Sequence, residues 1–180
     1  MARKGLIMYQ TQTGNTEKVA LRFKEIFEKK DWQCDIFKVD KKTDVNKPPA
    51  FQDYDFLCVG SGVYFSLPPE EIVDIMSRVT HDRSKPELHR KIVRGPKTGI
   101  VFVTYGGAHL GPMEAEPALS LLALHIEHLK FICIGRFSCP GKEGNRPTPY
   151  HWHGDLSHRP SERDLKKAEI FLEEKLEEIQ

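Results

Sequence analysis

Six consecutive residues near the start of the chain carry its clearest chemical signal. They read Thr-Gln-Thr-Gly-Asn-Thr and separate a short apolar segment from a stretch with helical apolar spacing. A loop in that position stands at a helix N-terminus, where unpaired backbone N–H groups and the helix dipole attract anions. Glycine lets the backbone approach a ligand, and the other side chains offer hydroxyl and amide donors. We therefore expect a phosphate group to be bound by Thr11, Gln12, Thr13, Gly14, Asn15 and Thr16.

The loop lacks the residues of the other common phosphate sites. It contains no lysine, which a GxxxxGK[ST] loop needs for a transferable phosphate, and it has no GxGxxG pattern. A receiver domain would need acidic residues where Tyr9, Gln10 and Thr11 stand. The phosphate is therefore expected to be a static anchor. The alternative is a threonine-rich helix cap without a ligand, although six such residues exceed what capping needs.

The elements around this loop alternate between strands and helices. Four continuously apolar runs, typical of buried parallel strands, cover residues 5–9, 54–60, 99–104 and 131–137. A weaker strand, near an edge, is expected over residues 32–39. Helical spacing predicts helices over residues 17–30, 70–79, 117–129 and 162–179, the last with Ser161 as its N-cap. One helix is missing between the second and third strands.

This alternation predicts an α/β protein, a three-layer sandwich with a five-stranded parallel sheet. Right-handed crossovers leave few strand orders, of which 2-1-3-4-5 suits this number of elements. We expect one domain over residues 1–180, with ligands beyond the carboxyl ends of the strands. Irregular segments are expected over residues 40–52, 80–97 and 138–160.

The phosphate loop resembles that of the flavodoxin family, which reads T/S-x-T-G-x-T. Thr11, Thr13, Gly14 and Thr16 fill all four defined positions, and the order of elements agrees over nearly the whole chain. The resemblance implies a flavodoxin-like fold, FMN as the cofactor, and electron transfer with a reductase or an electron acceptor as the protein partner.

The resemblance also implies that two further loops hold the flavin ring. The loop after the third strand would cover one side of the ring with Ser61, Gly62, Val63, Tyr64 and Phe65. In this family a glycine peptide there rotates towards the flavin, and by position Gly62 is the candidate. Tyr64 or Phe65 would stack on the ring, the alternative being that they pack under the following helix.

The second flavin loop follows the fourth strand. The residues expected to contribute are Thr104, Tyr105, Gly106, Gly107, His109 and Gly111. Tyr105 is a second stacking candidate, and His109 either bonds flavin or faces solvent. No acidic residue precedes Glu114 here, which argues against a very low redox potential.

Composition restricts the partners and the location. With 27 basic and 26 acidic residues the net charge is +1, which argues against a nucleic-acid partner. No apolar run approaches the about 20 residues of a membrane helix, and the run after the basic start is too short for a signal peptide. We therefore expect a cytoplasmic protein without a membrane partner. Neither the charge nor the pattern indicates an oligomeric state.

Two other groups of side chains do not predict a site. His151, His153 and His158 lie near Cys139, but their spacing matches no common zinc site, so no metal is expected. The four cysteines form no CxxC pair, and a disulfide framework is not expected.

Two functions follow. The first is an FMN-binding redox protein that transfers electrons between protein partners, with no catalytic side chain of its own. A less favoured form of this hypothesis is a flavodoxin-like subunit that docks on a specific oxidoreductase. The alternative is an NAD(P)H-dependent FMN reductase or quinone oxidoreductase. Its nucleotide phosphate would meet a basic group consisting of Lys85, Arg90, Lys91 and Arg94.

Overall fold

A five-stranded parallel sheet forms the centre of the described part of the chain. The computed structural model describes residues 3–81, 97–106, 111–142 and 155–179. Its strands are β1 (Lys4–Gln10), β2 (Gln33–Val39), β3 (Phe56–Gly62), β4 (Lys97–Tyr105) and β5 (Phe131–Pro140). They lie in the order β2-β1-β3-β4-β5, and every neighbouring pair is parallel. The predicted fold class and strand order are confirmed.

Within the described residues, four helices cover the sheet. They are α1 (Asn15–Lys29), α2 (Glu70–His81), α3 (Glu116–His128) and α4 (Glu162–Glu177), and each agrees with a predicted helix to within about two residues at either end. Between β2 and β3 the chain forms only the short 3₁₀ turn Phe51–Asp53, so the missing helix is absent from this described segment. A second 3₁₀ turn, Gly111–Ala115, precedes α3.

The two faces of the sheet have separate apolar cores. Ile7 and Phe102 point towards α1 and α4, where they pack with Phe23. Their neighbours Met8 and Val101 point to the opposite face and pack with the apolar residues of α2 and α3. Because side chains alternate along a strand, continuously apolar strands need a helical layer on both sides. Because β1, β3 and β4 are parallel neighbours, their carboxyl ends meet at one edge of the sheet.

The start of α4 is held by a capping box. The hydroxyl of Ser161 accepts from the Asp164 backbone N–H, while the Asp164 carboxylate accepts from the Ser161 backbone N–H at 2.8 Å. Arg159 also donates to this buried carboxylate, with Nη2–Oδ1 at 2.7 Å. The predicted cap is confirmed. β5 runs on to Pro140, so the first residues of the segment predicted to be irregular from 138 belong to a strand.

Candidate functional site

The N-terminus of α1 is the centre of the site. Its N-cap, Gly14, has φ 80° and supplies no side chain to the helix, and the first backbone bond runs from Lys18 N to Gly14 O at 3.2 Å. Thr11 Oγ1 accepts from the Gly14 backbone N–H at 3.0 Å. A Cβ added at Gly14 would meet nothing within 4 Å. The helix therefore begins without a side-chain cap and with open space at Gly14, a combination that suits an anion.

The far end of the phosphate loop is fastened to the rest of the molecule. The buried Asn15 donates through Nδ2 to Thr13 Oγ1 at 2.9 Å and to the Lys142 carbonyl at 2.8 Å. Thr16 is fully buried, and its hydroxyl shares a 2.9 Å hydrogen bond with that of Thr104. These contacts tie α1 to β4 and to the chain after β5. The side chains of Asn15 and Thr16 thus hold the loop in shape, while Gln12 and Thr13 are exposed.

Gly62 stands at the junction between β3 and the loop that follows it. This residue is the last of β3 and pairs with Thr104, and the next backbone N–H, of Val63, donates to the Thr104 carbonyl at 3.0 Å. The Gly62–Val63 peptide is therefore held in the sheet ladder. In this structure the N–H of that peptide is engaged with β4, and its rotation towards the reduced flavin stays a prediction. Ser61 is fully buried.

Tyr64 connects the β3 loop to the phosphate loop. Its ring lies over Gly62, where an added Cβ would fall 2.8 Å from Tyr64 Oη. Burial raises the pKa of the Tyr64 hydroxyl, although the Gln12 backbone donates a hydrogen bond that lowers it. The ring thus stands where the two loops meet, as a residue that covers a flat ligand would.

Phe65 occupies the tip of a tight turn. The turn is closed by hydrogen bonds between Tyr64 and Leu67, at 2.8 and 3.0 Å, and its central residues Phe65 and Ser66 have φ of 49° and 64°. Positive φ at both positions is the pattern of a type I′ turn, which usually contains glycine or asparagine. The relative exposure of Phe65 is 103%. The alternative that Phe65 packs beneath the following helix is therefore contradicted.

The loop after β4 is described in part. The ring of Tyr105 is only 2% exposed and belongs to the α2–α3 core, and burial raises the pKa of its hydroxyl to about 12. Stacking by Tyr105 stays a prediction that requires the ring to leave this core. Gly106 follows β4, and Gly111 has φ 59° at the start of the 3₁₀ turn. The predicted residues Gly107 and His109 lie outside the described residues.

Two buried polar atoms lie at the ends of the central strands. Gln10 Oε1 and Ser61 Oγ have no hydrogen-bond partner within the described parts of the chain. Each directly follows the last pair formed between β1 and β3, that of Tyr9 with Gly60. Buried polar atoms are normally satisfied, so this pair suits the edge of a polar ligand site. Gln10 is a further candidate for the site, and its signal in the sequence is a glutamine that ends an otherwise apolar strand.

A second group missed by sequence reasoning adjoins the first turn of α1. Tyr9 Oη donates to Glu17 Oε1 at 2.7 Å, and Lys38 Nζ donates to the same oxygen at 2.9 Å. These bonds hold the pKa of Glu17 below its usual value. The bond from Lys38 has the larger effect and the bond from Tyr9 the smaller. Burial, followed by the Glu17 carboxylate, raises the pKa of Tyr9. No short-range pattern relates these residues, because strand pairing brings Lys38 beside Tyr9.

Among the residues that the structure describes, no three histidine, cysteine or acidic side chains are grouped as a metal site would require. His151 and His153 lie outside the described residues. No described helix has the length and apolar character needed to span a membrane.

Comparison with known proteins places the fold. No model of a known protein family matches this chain. An uncharacterized protein of Methanocaldococcus jannaschii is 27% identical over 176 residues, which are 93% of this chain and 95% of that protein.

Solved structures with the same architecture include flavodoxins and an oxidoreductase. Flavodoxin 1 of Bacillus cereus superposes with a TM-score of 0.66 at 12% identity and covers 97% of both chains. Flavodoxin 2 of that organism gives 0.63 at 19% identity, over 96% of this chain and 99% of its own. The rubredoxin oxygen:oxidoreductase of Desulfovibrio gigas gives 0.56 at 16% identity, over 94% of this chain but 34% of its own. The chain therefore has the flavodoxin-like fold.

Proposed function

We propose that this protein binds FMN at the carboxyl edge of its sheet and transfers electrons between protein partners. The observation that carries the proposal is the start of α1, where Gly14 leaves the helix without a side-chain cap and with open space at its N-terminus. A flavodoxin-like fold puts the corresponding loop at the switch point of the sheet, where ligands of such folds bind. The resemblance of the residues from Thr11 to Thr16 to the flavodoxin phosphate loop supports FMN in particular.

Different residues of the site would bind different parts of the cofactor. The backbone N–H groups at the start of α1, with the hydroxyls of Thr11 and Thr13, would hold the phosphate. Tyr64 and Phe65 would cover the ring by stacking, and the polar atoms of Gln10 and Ser61 lie at the adjacent strand ends. FMN, once bound, supplies one- and two-electron redox chemistry. The protein supplies position, shielding from water and fixed dipoles.

Exposed apolar side chains support a protein partner. Phe65, Leu67 and Met113 are exposed by 103%, 49% and 67%, and all three belong to loops that follow the carboxyl ends of β3 and β4. Apolar side chains around a ligand site are typical of a docking surface. Because the net charge is only +1, we expect association to depend on this apolar contact more than on long-range steering.

The alternative function is an NAD(P)H-dependent reductase, and the experiment below distinguishes it from the electron carrier. Its basic group, Lys85, Arg90, Lys91 and Arg94, lies outside the described residues, so no contact of that group supports it.

The test starts with the purified protein and added FMN. We expect the flavin fluorescence to be quenched on titration, with riboflavin binding more weakly because it lacks the phosphate. Absence of FMN binding would sink the proposed function. The FMN-loaded protein is then mixed with NADH or NADPH without oxygen. Slow loss of flavin absorbance agrees with an electron carrier, whereas rapid bleaching without an added reductase would establish the NAD(P)H-dependent enzyme instead.

A further inference from the structure

We propose that Lys38, acting through Glu17, sets the preference of the α1 N-terminus for a phosphate-bearing ligand. This inference rests on the proposed FMN function and assigns a role to two residues outside the phosphate loop. Lys38 Nζ lies 2.9 Å from Glu17 Oε1, and Glu17 is the third residue of α1. Lys38 therefore acts by neutralising the charge of Glu17 and does not itself contact the ligand.

Glu17 creates a conflict that the site has to resolve. A carboxylate in the first turn of a helix is favourable by itself, because it meets the positive end of the dipole. A bound phosphate needs the same positive end and carries nearly two negative charges at neutral pH. The loop from Thr11 to Thr16 contains no basic side chain that would balance both. An uncompensated Glu17 would thus weaken phosphate binding at Gly14.

Lys38 supplies the compensation from the neighbouring strand. β2 pairs with β1, and the register sets Lys38 opposite Tyr9. The ammonium group bonds to Glu17 and also stands 6.0 Å from the centre of the Tyr9 ring. The pair is partly exposed, with relative side-chain exposures of 46% for Lys38 and 33% for Glu17. Such pairs contribute little to folding, so the pair is open to mutation without loss of the fold.

Tyr9 provides a control that separates charge from geometry. Its hydroxyl donates to the same Glu17 oxygen at 2.7 Å but carries no charge. If the group only positioned α1, removal of this hydroxyl would affect binding as strongly as removal of Lys38. If charge decides, the variant Tyr9→Phe leaves the ratio of FMN to riboflavin affinity unchanged.

A second control tests for a general effect of net charge. Lys24 forms a pair with Glu28 on the same helix, with Nζ–Oε1 at 3.5 Å. Glu28 lies about 16 Å further along the axis than Glu17 at the usual helical rise. Since the screening length is about 8 Å at physiological salt, the variant Lys24→Met should leave phosphate binding unaffected.

The experiment measures the dissociation constants of FMN and of riboflavin for the whole protein, by flavin fluorescence at about 0.15 M salt. Lys38→Met is expected to weaken FMN about two- to fivefold and Glu17→Gln to tighten it by a similar factor, with riboflavin unchanged in both. The differences should shrink as salt is raised.

Two results would overturn the inference. One is an equal change for FMN and riboflavin, and the other is a change in their ratio for Tyr9→Phe as large as that for Lys38→Met. Either outcome leaves FMN binding by the unmodified protein intact. If the unmodified protein binds neither ligand, the proposed function fails first.

Discussion

Positive φ angles mark two residues of the site that meet different constraints. At Gly14 the angle of 80° allows the loop to enter α1, and glycine adopts it at no steric cost. At Phe65 and Ser66 the chain takes up similar angles with full side chains, which costs on the order of 1 kcal/mol for each residue. The strain at Phe65 is not repaid by burial, because the ring is fully exposed. We attribute the presence of phenylalanine at this strained position to contact with the proposed ligand or protein partner.

Gly14→Ala is expected to lower the free energy of unfolding by about 1–2 kcal/mol and to weaken FMN binding. The added methyl group meets no atom within 4 Å, so the cost comes from the backbone angle alone. Gly14→Asn should cost less, since asparagine tolerates this conformation better. Urea unfolding of both variants checks the order. Equal losses for alanine and asparagine would contradict the conformational explanation.

Phe65→Asn is expected to raise the free energy of unfolding by roughly 0.5–1 kcal/mol, because it relieves the turn without removing a packed side chain. The same variant should weaken the binding of FMN or of a protein partner, because the Phe65 ring is proposed to contact one of them. Chemical unfolding and FMN titration measure the two effects. A stability loss above about 1 kcal/mol would show that the exposed ring packs in solution.

At the scale of elements, the strands and helices could be predicted because their apolar periods are repeated over many residues. The cap at Ser161 could also be predicted, because its signal lies within a few neighbouring residues. The features that sequence patterns did not predict depend on contacts between elements. Gly62 belongs to β3 only because β4 pairs with it, and Tyr105 is buried only because α2 and α3 close over it. The contact of Glu17 with Lys38 likewise required the register of β1 and β2.

The capping box of α4 predicts a dependence of stability on pH. Burial raises the pKa of Asp164, but the hydrogen bonds from Ser161 and Arg159 outweigh it and hold the pKa below its usual value. A lowered folded pKa means that Asp164 contributes its stability above about pH 4 and loses it as the pH falls through the folded pKa. Asp164→Asn should cost about 1–3 kcal/mol near neutral pH and flatten the acid limb of the stability profile.

Glu162→Gln is the matched control for Asp164→Asn. Glu162 lies in the same first turn of α4 and pairs with Arg22 at 3.2 Å, but its side chain is 83% exposed. We expect its loss to change the free energy of unfolding by less than about 1 kcal/mol. Thermal or urea unfolding between pH 3 and pH 7 distinguishes the two variants. Parallel pH profiles for the unmodified protein and Asp164→Asn would refute the role given to Asp164.

At the scale of the whole molecule, the proposed site joins elements that are far apart in sequence. Asn15 reaches Lys142 and Thr16 reaches Thr104, so the phosphate loop is fixed by β4 and by the chain after β5. Tyr64 connects the β3 loop to Gln12. A ligand held by these loops binds only the assembled fold, and its binding free energy therefore adds to the stability of the entire sheet.

This linkage gives a prediction in which the phosphate and the loops are tested together. FMN at a hundred times its dissociation constant should raise the free energy of unfolding by about 2.7 kcal/mol. Riboflavin at the same concentration should raise it less, and the difference reports the phosphate contacts at α1. Thr16→Val removes the bond to Thr104 while it keeps the side-chain shape, so it should reduce the FMN effect more than the riboflavin effect. Equal stabilisation by both ligands in the unmodified protein would mean that α1 does not bind the phosphate.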